Sequence, residues 1–258
     1  METKILSIIT QKGGVGKTTS AIHIAGALEQ DNCKVLLIDF DTQKNLSLGY
    51  NCPKDFDYDV EEFLLSDKRP KFVRRGENQS VYIIPGSTNL KEKKLKDNSL
   101  RKAFSKLEEK FDYIIIDCPP KPINDELSLG EIAVFASDYV ISPIRADKYS
   151  IAGISSFISS INHLKKNSGL KVNVLGFFFN EVEENTNHFT GFYEALKESP
   201  AGKYLFKNYI RKDVLVKNAM DEGKTIFELK PYGRASMDFK GLKEEILTKM
   251  KGYENEEK

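Results

Sequence analysis

The 258-residue chain has no tryptophan and only three cysteines, four methionines and three histidines. Cys33, Cys52 and Cys118 are odd in number and form no C-x-x-C pair, which excludes a disulfide framework and a cysteine-built zinc site. Each reads as a small buried hydrophobe in a reducing compartment. No charge sign dominates: 39 Lys and Arg stand against 38 Asp and Glu, which excludes a wholly basic nucleic-acid coat or an acidic tail protein. Any charge-driven function must therefore be local. Long apolar runs are missing too. Val174 to Phe179 and Tyr113 to Ile116 fall far short of the roughly 20 residues that span a bilayer. Met1-Glu2-Thr3-Lys4 leads straight into Ile5 without the pattern of a secretory leader, so a cytoplasmic location is expected. There is no internal repeat and no Pro/Gly-rich hinge. One domain is expected over 1–251, with a frayed acidic tail at 252–258.

What the chain does have is alternation. Short β-branched runs at 4–10, 34–39, 81–85, 112–117, 138–143 and 171–179 predict strands, several of them apolar on successive residues, as in a parallel sheet covered on both faces. Amphipathic stretches at 18–30, 98–110, 148–166, 186–198 and 235–251 predict helices; in the last, Leu242, Ile246 and Met250 form one apolar stripe. The expected fold is α/β, a doubly wound, mostly parallel sheet flanked by helices, with ligands beyond the strand carboxyl ends. The first strand begins so near Met1 that no added N-terminal DNA-reading domain is expected.

Between the first strand and the first helix stands Gln11-Lys12-Gly13-Gly14-Val15-Gly16-Lys17-Thr18-Thr19. Glycines at this junction let backbone N–H groups turn inward around a phosphate chain, and the helix N-terminus adds its positive dipole end. Lys17 would reach the β/γ-phosphates and the Thr18 hydroxyl would bind the accompanying Mg²⁺. A strict P-loop wants glycine where Gln11 stands.

The run KGGVGKTT resembles the deviant Walker A motif of the ParA/MinD family of P-loop ATPases, in which an extra lysine, here Lys12, precedes the glycines. Gln11 in front of it resembles the ParA, Soj-like branch. Leu37-Ile38-Asp39-Phe40-Asp41-Thr42-Gln43-Lys44-Asn45 resembles the family motif D-x-D-P-Q-x-N, with Thr42 in place of proline, and Tyr113 to Pro120 resembles a Walker B strand and its switch loop. The resemblance implies an ATPase using ATP and Mg²⁺. Phosphate contacts then fall to Gly13, Gly14, Val15, Gly16, Lys17, Thr18 and Thr19, the metal shell to Thr18, Asp39 and Asp117, and the attacking water to Asp41. Lys12 is implied to cross to the phosphates of a partner subunit in an ATP-dependent homodimer.

Toward the C-terminus the resemblance is looser. Asn180 ends the strand Leu175 to Phe179, where an asparagine can serve a purine edge or simply close a turn. Ile210-Arg211-Lys212-Asp213-Val214 and Ala219 to Ile226 resemble the ParA segments I-P-R-N-V and A-x-x-x-G-x-P-I. ParA relatives bind duplex DNA non-specifically through C-terminal basic residues, which implies Arg211, Lys212 and Lys217 as DNA contacts. Asn185 and Leu215 stand where relatives often carry an arginine. Charge is concentrated in two places: 68–102 holds eleven basic residues against three acidic, and 201–251 holds twelve against seven. Either can be a phosphate-backbone surface or a solvated face, and the first can serve a partner protein. The implied function is DNA partition: an ATPase that dimerises on ATP, coats the nucleoid, and hydrolyses slowly under stimulation by a ParB-like centromere-binding protein. The alternative is a MinD-like ATPase positioning membrane or protein cargo. Its basic amphipathic C-terminus has no counterpart in Tyr253 to Lys258, so stable membrane binding is not expected.

Overall fold

The computed structural model describes residues 2–74, 76, 79–123 and 127–256, without the side chains of residues 149, 151 and 152. Of the sequence readings, Arg75 and Glu77 in the basic segment and residues 257–258 of the tail lie outside the described residues.

Among the described residues six strands form one parallel sheet: β1 (Lys4–Ile8), β2 (Val35–Asp39), β3 (Val81–Ile84), β4 (Tyr113–Asp117), β5 (Tyr139–Ile144) and β6 (Asn173–Phe179), in the order β3-β2-β4-β1-β5-β6. All six runs read as strands from the sequence are here. Their continuous apolar character follows from cover on both faces. In β2, Leu36 and Ile38 enter one core while Val35 and Leu37 enter the other, because successive side chains point to opposite sides.

Among the described residues ten α-helices connect and cover the strands: α1 (Lys17–Glu29), α2 (Asn45–Gly49), α3 (Val60–Leu65), α4 (Ser99–Phe104), α5 (Leu129–Ala136), α6 (Lys148–Ser168), α7 (Asn187–Glu198), α8 (Val214–Asp221), α9 (Ile226–Leu229) and α10 (Arg234–Glu256). On one face α1 and α10 pack together, with Ile22, Ala25, Leu242, Ile246 and Met250 in a shared core. The helix expected over 98–110 stops at Phe104. Beyond it the Lys106 ammonium reaches back to the carbonyls of Phe63 and Ser66 at the end of α3, a tertiary anchor that helix periodicity does not encode. Helix α5 carries no amphipathic signal in the sequence because it has almost no polar face: Leu129, Ile132, Ala133, Val134 and Ala136 are all buried.

The tail is a correction. Residues 252–256 do not fray but continue α10, where the Tyr253 hydroxyl donates to the Val174 carbonyl at 3.1 Å and Glu254 pairs with Lys4. Among the described residues no helix is long and apolar enough to cross a membrane.

Strands β2 and β3 lie on one side of β1 and β5 and β6 on the other, with β4 inserted beside β1. Sheets of this kind bind ligands beyond the strand carboxyl ends where the winding reverses.

Candidate functional site

The loop from Thr10 leaves the end of β1 and runs into α1. Gly14 and Gly16 hold φ of +72° and +91°, in the left-handed region. At Gly16 a side chain is excluded twice over, since a Cβ would also lie 2.1 Å from Asn180 Nδ2. No side chain caps α1, so its first amides and its dipole end face the loop's hollow, which suits an anion. Lys17 is only 7% exposed and makes no ion pair among the described residues. A buried ammonium without a carboxylate needs a negatively charged ligand.

Two carboxylates close the other side. Strands β2 and β4 are neighbours in a register that sets Asp39 opposite Asp117. The Thr18 hydroxyl donates to Asp117 Oδ2 at 2.7 Å. Asp39 Oδ2 accepts from the Ser47 amide at 2.8 Å and the Ser47 hydroxyl at 2.5 Å, and the Gly86 amide donates to that hydroxyl at 2.9 Å. A Cβ at Gly86 would stand 2.8 Å from Asp39 Cγ, so only glycine lets the chain after β3 pass this close. Burial, and then the charge of Asp39, pushes Asp117 up to about 8; burial likewise lifts Asp39 to about 6 against the Ser47 hydrogen bonds.

Asp39 Oδ1 and Asp117 Oδ1 are both buried without a hydrogen-bond partner. Two orphaned carboxylate oxygens beside a threonine hydroxyl fit a hard divalent cation. Among the described residues no group of three or more His, Cys, Asp or Glu is placed to hold a metal alone. That suits Mg²⁺, which keeps waters and takes one or two carboxylates together with phosphate oxygens.

Asp41 is 7% exposed, its Oδ1 accepts the Gln43 amide at 3.0 Å, and with Gly14, Gly16, Lys17 and Thr18 it lines a cavity of about 670 Å³. A second cavity of about 450 Å³ shares Thr19, Glu181 and Met220 with the first and is lined by Ile210, Val214 and Val216. A polar hollow joined to a more apolar one matches the two ends of a nucleotide.

Of the residues singled out in the sequence, the structure brings together Gly14, Gly16, Lys17, Thr18, Thr19, Asp39, Asp41 and Asp117. Gly13 and Val15 belong to the same loop; Pro120 lies against Gly13. Asn180 sits where the two cavities meet, its Nδ2 donating to the Val15 carbonyl at 2.9 Å, so it supports the loop whatever else it contacts. Lys12 stands apart. It lines a different cavity, of about 310 Å³, with Pro143, Ile154 and Phe157, and donates to Asp147 Oδ2 at 2.8 Å.

The basic residues Arg211, Lys212 and Lys217 line the second cavity. Arg211 is committed inside the fold: its guanidinium pairs with Asp238 at 2.5 Å and with Glu184 at 3.3 Å. Lys212 pairs with Glu183 at 2.6 Å, and Lys217 alone of the three has no ion pair among the described residues. Residue-by-residue reading missed Ser47 and Gly86. Ser47 follows the D-x-D segment by six residues, but only the fold brings Gly86 to it.

The family model described as an AAA domain matches residues 3–174. A ParA family protein of Chlamydia trachomatis is 30% identical over 259 residues, covering 95% of this chain and 97% of its own. Sporulation initiation inhibitor protein Soj of Bacillus subtilis is 28% identical over 255 residues, covering 94% and 98%. The septum site-determining protein MinD of Pyrococcus horikoshii, complexed with Mg-ADP, superposes with a TM-score of 0.73 at 25% identity, covering 95% of this chain and 96% of that one.

Proposed function

The chain belongs to the ParA/MinD family of P-loop ATPases, in its Soj-like part, and on that footing we propose that it is a partition ATPase of the cytoplasm that works on the nucleoid. In this reading it binds ATP with Mg²⁺, pairs face to face with a second copy, holds duplex DNA without regard to sequence, and hydrolyses slowly under stimulation by a ParB-like centromere-binding protein.

One observation carries the reading. Two lysines of a single loop border different spaces: Lys17 lines the phosphate-sized hollow, whereas Lys12 lines another cavity and its ammonium is held by Asp147. A lysine serving only its own loop's phosphates would have no reason to lie outside their hollow. Its position supports a role toward a second subunit.

Within the site, the loop amides and Lys17 hold the phosphates, while Thr18, Asp39 and Asp117 would hold Mg²⁺. Bound Mg²⁺ supplies positive charge to the phosphate oxygens. Ser47 and Gly86 fix Asp39 in place through Oδ2 and leave its Oδ1 without a hydrogen-bond partner. Asp41 orients the attacking water from the mouth of the hollow. Asn180 braces Val15 between the phosphate and base compartments.

The test is binding of the purified chain to random-sequence duplex DNA, with anionic vesicles in parallel, in ATP, ADP or no nucleotide at two salt concentrations. ATP-dependent, salt-sensitive DNA binding is expected. Vesicle binding alone, or neither, overturns the partition reading and leaves the ATPase intact.

A further inference from the structure

The fold divides the basic segment 68–102 into two unlike parts. In the first, Lys68, Arg69 and Lys71 are each paired with an acid, Glu62, Glu108 and Asp57. In the second, Lys94 pairs with Glu61 and Arg101 with Asp138, while Lys91, Lys93, Lys96 and Lys102 are exposed and have no ion pair among the described residues. The apolar residues between them, Leu95 and Leu100, are buried, which turns the lysines outward.

This second part lies along α5. At one end Glu92 Oε1 accepts the Leu129 amide at the start of α5; at the other, Arg101 Nε donates to the Phe135 carbonyl at its finish. Six helical steps, from Leu129 to Phe135, separate these contacts by about 9 Å, a length over which duplex DNA presents on the order of five phosphate charges.

Glu92 also binds the loop that follows the Walker B strand. The Lys121 ammonium donates to the same Oε1 at 2.6 Å. Its neighbour Pro120 lines the phosphate cavity and lies against Gly13, where a Cβ would be 4.0 Å from Pro120 Cγ. One carboxylate therefore joins the basic strip, the start of α5 and the loop beside the phosphate site.

We propose that the strip from Lys91 to Lys102 is a docking surface for the duplex DNA backbone, and that Glu92 couples its occupancy to the nucleotide site. The proposal rests on the DNA-binding reading above but assigns the contact to the α4–α5 side rather than to the C-terminal basic residues. Exposed lysines with no exposed large apolar side chain among them suit a phosphate backbone, which is bound through charge alone. A peptide partner would need apolar anchors that this strip lacks. Of the C-terminal candidates Arg211 and Lys212 are already ion-paired, which leaves Lys217 alone of the three without an ion pair among the described residues. When the loop at Pro120 shifts with the nucleotide, Lys121 and Glu92 move with it, and the lysines flanking Glu92 are repositioned.

The experiment measures affinity of the full chain, with ATP and Mg²⁺, for a fluorescent random-sequence duplex across a salt series. Lys93→Glu with Lys96→Glu should lower affinity at least tenfold, and Lys93→Gln with Lys96→Gln should lessen the slope of log K against log salt by about two. Unstimulated ATP hydrolysis and melting temperature should stay at wild-type values. Lys212→Glu with Lys217→Glu should change affinity less than threefold. Glu92→Gln should retain binding but shrink the difference between ATP and ADP states several-fold. Wild-type affinity in both strip variants, with loss in the C-terminal variant, overturns the strip and leaves the DNA reading standing. No DNA binding by the wild-type chain in any nucleotide state overturns both. An unchanged ATP-to-ADP difference in Glu92→Gln overturns the coupling, and a strip variant that loses vesicle rather than DNA binding makes the surface a lipid site.

Discussion

Lys12 Nζ lies 2.8 Å from Asp147 Oδ2 of its own chain, and Asp147 is at the same time the N-cap of α6, accepting the Ser150 amide at 2.9 Å. Partial burial works against ionisation of Asp147, and the hydrogen bonds from Lys12 and Ser150 outweigh it, so its carboxyl sits below the usual aspartate range. A lysine held at home must leave this partner before it can serve a second subunit.

Changing Asp147 to Asn keeps an N-cap acceptor and removes the charge. An exposed pair is worth about 0–1 kcal/mol, so Asp147→Asn should tighten ATP-dependent dimerisation by up to about fivefold. Sedimentation velocity with ATP measures it. Lys12→Ala should abolish the dimer; a dimer indifferent to both changes removes Lys12 from the interface.

Ser47 supports a carboxylate in the cation shell rather than touching nucleotide. Ser47→Ala removes one of the two hydrogen bonds to Asp39 Oδ2 and leaves the Gly86 amide without its acceptor. Outer-shell losses of this kind weaken metal sites about 10- to 100-fold. The Mg²⁺ concentration for half-maximal hydrolysis should rise by that factor while ATP affinity at saturating Mg²⁺ changes little. Chelation by EDTA should stop turnover in both proteins.

Asp41 borders the phosphate cavity but takes no part in holding Thr18 or Asp117. Asp41→Ala should retain ATP binding and lose at least about a hundredfold in turnover, within the range for a lost general base or water-positioning group. Nucleotide retention by equilibrium dialysis and phosphate release read the two effects separately. Normal phosphate release would end the assignment.

Arg211 is a structural residue in this fold. Its side chain is 28% exposed and Asp238 is 9% exposed, and removal leaves a mostly buried carboxylate with only the Arg211 amide. Arg211→Ala should cost about 2–3 kcal/mol of stability in urea titration. A variant as stable as wild type would return Arg211 to the set of residues available for ligands.

The sequence alone was enough for the loop and for every strand. Gly13 to Thr19 is a local motif whose backbone and helix dipole act within a few residues, and six apolar runs declare a parallel sheet because cover on both faces removes the polar alternation. The acids at 39, 41 and 117 were legible for the same reason, as each ends such a run. What the sequence did not contain was neighbourhood. Only insertion of β4 between β2 and β1 sets Asp39 beside Asp117, and only the passage after β3 brings Gly86 to Ser47. The same holds for charge. Counting basic residues marks both 68–102 and 201–251, and the family resemblance favours the second, but Asp238, Glu184 and Glu183 engage Arg211 and Lys212 across the fold, whereas no acid meets Lys93 or Lys96 among the described residues. Local hydrogen bonding and hydrophobic period are written along the chain; which charges are neutralised and which remain exposed is decided by packing between residues far apart in it.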